Sequence, residues 1–97
     1  MSLFSALFGS GSSYSTVQKS LSREQIRHIV SRSRIQTLSA QEEAAIEEAI
    51  DKRRLGDGRI SVAQIDEVLG KLEQTGTISI NDRKSVIKAF QGHFGVD

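Results

Sequence analysis

Ser22-Arg-Glu-Gln25, Ser39-Ala-Gln-Glu42, Ser61-Val-Ala-Gln64 and Ser79-Ile-Asn-Asp82 are four versions of one short signal, and they decide the fold. In each, a serine stands three residues before a side chain that accepts hydrogen bonds. The serine oxygen takes a free N–H of a helix's first turn, and the third residue reaches back to the serine N–H. Every serine follows an apolar residue: Leu21, Leu38, Ile60 or Ile78. Ile26 and Ile65 sit five positions after Leu21 and Ile60, the spacing of a hydrophobic staple. Asp82 is the shortest of the four return partners. The four signals predict helix starts near 23, 40, 62 and 80.

Apolar stripes follow each start. Ile26, Ile29 and Val30 form the first, and Ile46, Ala49 and Ile50 the second. Ile65, Val68, Leu69 and Leu72 form the third, and Val86, Ile87, Phe90 and Phe94 the fourth. Gly56-Asp-Gly58 and Gly76 mark stops after the second and third helices. The spacing also reveals a repeat. Ser22 lies 39 residues before Ser61, and Ser39 lies 40 before Ser79. In that frame Gln25 matches Gln64, Ile26 matches Ile65 and Ile29-Val30 matches Val68-Leu69. One extra turn residue then aligns Glu42 with Asp82, Ile46 with Val86 and Ala49-Ile50 with Ala89-Phe90. The expected fold is all-α: a compact four-helix domain over residues 21–97, built from two similar hairpins that cover each other's apolar faces.

Composition agrees with this reading and excludes several others. The 97 residues include no cysteine, so disulfide scaffolds, thiolate metal sites and cysteine nucleophiles are out. With 37% hydrophobic and 26% charged residues and no run of ~18 apolar residues, a soluble cytoplasmic domain is expected rather than a membrane span. Residues 1–20 read as a flexible tail. Leu3, Phe4, Leu7 and Phe8 give it an apolar tip, Gly9-Ser-Gly-Ser-Ser13 gives it linker composition, and Tyr14 is expected to lie outside the core. Such a tip suits docking into a partner's groove or shallow contact with a membrane surface.

Residues 38–72 resemble an EF-hand helix–loop–helix. In that family a glycine makes the sharp turn at loop position six and an aliphatic residue follows at eight; Gly58 and Ile60 match these. The ligands do not match. Positions one, three and twelve would be Arg53, Leu55 and Gln64, leaving Asp57 as the one carboxylate, with Arg54 and Arg59 adding positive charge. A second match through Gly76-Thr-Ile78 has Lys71 at position one and Asp82 at twelve. The resemblance therefore implies a degenerate, metal-free EF-hand-like fold, and no metal site is expected.

The net charge of +1 is a cancellation. Residues 19–36 carry Lys19, Arg23, Arg27, Arg32 and Arg34 against Glu24, whereas residues 39–51 carry only acids. An acidic first turn and a basic last turn complement the dipole of the second helix. In an up-down arrangement Lys19, Arg23, Lys52, Arg53, Arg54 and Arg59 would gather at one end with two helix N-termini, a candidate anion site. A winged-helix reading of Ser61–Leu72 fails because Ser79–Asp82 opens another helix where a wing strand would run.

The chain shows no catalytic constellation. His28 and His93 lie far apart, no serine stands in a Gly-x-Ser-x-Gly elbow, and Gly9-Ser-Gly11 lacks the lysine of a phosphate loop. Neither catalytic residues nor a cofactor are expected. The expected function is a non-catalytic adaptor that binds a protein partner through its tail or a helical groove. The alternative is anionic-membrane or nucleic-acid binding at the basic end, and weak self-association suits so small a domain.

Overall fold

The computed structural model describes residues 14–32, 38–54 and 56–95. The apolar tip, Leu3, Phe4, Leu7 and Phe8, lies outside them. Four helices start at the four serine signals: α1 (Arg23–Arg32), α2 (Ala40–Arg53), α3 (Val62–Gln74) and α4 (Ile80–Phe94). All four capping boxes are formed. Ser22 N–H donates to Gln25 Oε1 at 2.8 Å, and Gln25 N–H returns to Ser22 Oγ at 3.1 Å. Ser39 with Glu42 and Ser61 with Gln64 repeat the pair. Ser79 N–H reaches the shorter Asp82 side chain at 3.3 Å, the longest of the four contacts, as the missing methylene requires. At the end of α3, Gly76 takes φ +78°, donates to the Glu73 carbonyl, and lets Thr77 N–H donate to the Leu72 carbonyl. That pair of bonds is a Schellman stop.

The four apolar stripes meet in one core. Ile26, Ile46, Ile50, Ile65, Leu69, Val86 and Phe90 are fully buried, with Leu21 and Ile60 beside them. Burial of each such side chain contributes ~1.5–3 kcal/mol. The helices close into a ring: α1 packs on α2, α2 on α3, α3 on α4, and α4 back on α1.

A two-stranded antiparallel ladder joins the hairpins, β1 (Lys19–Ser20) against β2 (Arg59–Ile60). Its register pairs Lys19 with Ile60 and Ser20 with Arg59. Ser20 and Arg59 are 39 residues apart, so they are equivalent positions of the sequence repeat facing each other. The bond from Leu21 N–H to the Gly58 carbonyl, 3.0 Å, mirrors the Lys19–Ile60 pairing on the other side of that point. The local two-fold axis of the domain therefore passes through the ladder, and the repeat read from caps and stripes is the symmetry of the fold.

The tail begins later than the sequence suggests. Residues 14–20, expected to be mobile, lie against the body. Tyr14 packs partly buried on the core. Ser15 accepts from Ala63 N–H at 3.0 Å, satisfying a first-turn donor of α3 that has no partner inside the helix. Most of these contacts are made by backbone, so a Ser/Thr-rich composition conceals them.

Candidate functional site

The end of the ring that holds β1 and β2 gathers the six basic residues singled out above. Helix α1 starts there, α2 ends there and α3 starts there. Arg54 Nη1 donates to the Leu21 carbonyl at 2.7 Å, tying the end of α2 to the start of α1.

Each of the six cations is engaged by its own chain. Arg23 fans over α2, with Nε on Glu47 at 2.6 Å, Nη2 on Glu48 at 2.8 Å and Nη1 on Asp51 at 3.1 Å. The i, i+1, i+4 spacing of those acids sets three carboxylates within reach of one guanidinium fork. Lys52 lies 3.5 Å from Glu48, and Arg53 lies 3.3 Å from Glu67 of α3. Arg54 also pairs with Asp51. Arg59 closes a tight turn on Asp57 through its side chain, 2.7 Å, and its backbone N–H, 3.2 Å. Lys19 Nζ donates to the Phe94 carbonyl at 2.6 Å and stands 6.0 Å from the centre of the Phe94 ring, bringing positive charge to the C-terminus of α4. The basic residues therefore converge as expected, and five carboxylates converge with them.

Glu47 is the most enclosed acid of this group, 8% exposed. Arg27 takes both its oxygens, Nε at 3.0 Å and Nη2 at 3.2 Å, while Arg23 holds one of them as well. Hydrogen bonds from Arg27 and then Arg23 hold its carboxyl down at about 2, against the upward push of burial.

A second ion-pair cluster went unseen in the sequence. Arg83 of α4 clasps Asp66 of α3 with Nε and Nη2, both at 3.0 Å, and reaches Glu73 with Nη1 at 2.9 Å. Its guanidinium lies over Gly70, where an added Cβ would stand 3.3 Å from it. The signals were a glycine inside a helix and an acid on its inner side; Asp66 is 8% exposed. Bonds from Asp66 and Glu73 raise the Arg83 pKa above its ordinary value.

The described residues form an open groove of about 540 Å³ between residues 16–18 and the start of α3. Thr16, Gln18, Arg53, Ala63, Gln64 and Glu67 are among its lining. Val17, 61% exposed, and Ile80, 52% exposed, are large apolar side chains left in solvent. His28 and His93 are both exposed, and His93 sits edge-on to Phe94. Among the described residues no three His, Cys, Asp or Glu side chains are placed to hold a metal ion, and no helix is long and apolar enough to cross a membrane. Compared with protein-family models, curated proteins and solved structures, the chain matches none.

Proposed function

We propose that this chain is a non-catalytic interaction domain in which a rigid four-helix body holds an apolar N-terminal peptide for a protein partner. The observation that carries this reading is the anchoring of residues 14–20. Tyr14 on the core and Ser15 on the first turn of α3 give the segment bearing Leu3, Phe4, Leu7 and Phe8 a fixed point of departure from the body. The body's own apolar stripes are spent on its core, which leaves the tip as the largest run of apolar residues available to a partner.

Anion recognition at the basic end is the weaker reading. Phosphates would have to compete with carboxylates already bonded to Arg23, Arg53, Arg54 and Arg59. The EF-hand-like reading of residues 38–72 enters as a fold without its ion. It is supported by Gly58 at φ +85° and by Ile60 buried in the ladder.

The test replaces Leu3, Phe4, Leu7 and Phe8 together by serine and compares affinity capture by this variant and by the unaltered chain. Loss of the captured proteins, with an unchanged helical circular-dichroism spectrum, is the expected result. Equal recovery removes the tip from the function.

A further inference from the structure

We propose that residues 14–20 form a detachable strap, hinged at the buried Leu21 and latched by Lys19, whose release lengthens the reach of the N-terminal segment while the four-helix ring stays folded.

The comparison that points to this lies inside the molecule. β1 and β2 are equivalent strands, but they are held differently. β2 is covalently continuous with helices on both sides, through residues 54–58 to α2 and directly through Ser61 to α3. β1 continues into a helix only on its α1 side. On the other side, where symmetry would place the end of α4, there is no peptide bond. Lys19 Nζ on the Phe94 carbonyl, 2.6 Å, stands in for one.

The rest of the attachment is slight. It consists of the two-residue ladder, the Ser15–Ala63 bond, a long Gln18–Gln64 contact at 3.4 Å, and the partly buried ring of Tyr14. Val17 faces solvent, and the groove between Thr16, Gln18 and α3 shows that the strap does not lie flush on the helix. Leu21, 1% exposed, is the first residue of this stretch rooted in the core, which sets the hinge. Segments with few buried apolar contacts and exposed backbone bonds open at free energies well below global unfolding.

Release frees seven residues, about 25 Å of extended chain. The apolar tip would then work on two tether lengths. That consequence rests on the tethering function proposed above. The release itself does not, and the experiment reads the release alone.

Amide hydrogen exchange on the full chain, corrected for intrinsic rates, tests it. Ala63 N–H has the strap as its partner, Ile60 pairs with Lys19, and Ile65 N–H bonds the Ser61 carbonyl inside α3. Ala63 and Ile60 are expected to share one protection factor, at least about tenfold lower than that of Ile65. Lys19→Met keeps the aliphatic stem and removes the donor. It should speed exchange at Ala63 and Ile60 about fivefold and leave Ile65 unchanged. Ala63 as protected as Ile65, Ala63 and Ile60 exchanging at unrelated rates, or a Lys19→Met variant without effect would each overturn the proposal.

Discussion

The two hairpins share their caps and their core stripes but carry opposite charges along the seam between their helices. In the first, the base is on the leading helix and the acid on the following one: Arg27 of α1 holds Glu47 of α2. In the second the order is reversed, and Arg83 of α4 holds Asp66 of α3. The inversion falls on matched positions. Arg27 and Asp66 are 39 residues apart, and Glu43 and Arg83 are 40 apart. What the repeat keeps is what geometry dictates, namely the first-turn bonds and the apolar spacing. The seam needs only opposite signs facing each other, so polarity is free to switch as long as both sides switch together.

The largest expected effect comes from breaking that rule in one hairpin. Arg83→Glu would set a third carboxylate beside Asp66 and Glu73 in a half-buried seam, and should cost about 3 kcal/mol of stability in urea unfolding. Adding Asp66→Arg rebuilds the pair in the polarity of the first hairpin and should recover most of the loss. A double variant no more stable than Arg83→Glu would show that the seam is not governed by pairwise sign.

Caps provide a smaller contrast. Ser61 is 2% exposed, so Ser61→Ala leaves an enclosed donor unsatisfied, whereas the exposed Ser22 leaves its partner to water. The expected losses are about 2 kcal/mol for Ser61→Ala and about 0.5–1 kcal/mol for Ser22→Ala. Thermal or urea unfolding of the two variants side by side checks the order.

The smallest effect at neutral pH belongs to acid. The Glu47 carboxyl sits at about 2 in the folded chain against 4.5 when unperturbed, so protonation favours the unfolded state. Its contribution is complete above pH 4.5 and is lost as pH falls from there through 2. The urea midpoint of the unaltered chain should drop across that window. Glu47→Gln should begin lower and fall less steeply, and parallel slopes would remove Glu47 as the source of acid sensitivity.

The helices were legible because their signals are local. Ser22, Ser39, Ser61 and Ser79 each declare a first turn within four residues, and the stripes declare a face within two turns. The strap was not legible, because Ser15 and Ser20 act through carbonyl and amide groups that every residue carries. Nor were the ion-pair partners. Arg23 could be read as free positive charge only until α2 laid Glu47, Glu48 and Asp51 beneath it, and that placement depends on the packing of two helices. Tyr14 looked like part of a linker for a related reason: its contact is with a core assembled by residues far along the chain.

The Lys19–Phe94 contact has a topological consequence. Each helix packs on two neighbours, the last helix returns to the first, and the two ends of the described body touch. Such a body is a closed loop of four helices, opened between α4 and β1, and the opening could as well lie at another joint. Starting the chain at α2 instead would leave the ladder, the caps and both seams with the same partners. What the present opening decides is which strand is left with a loose end.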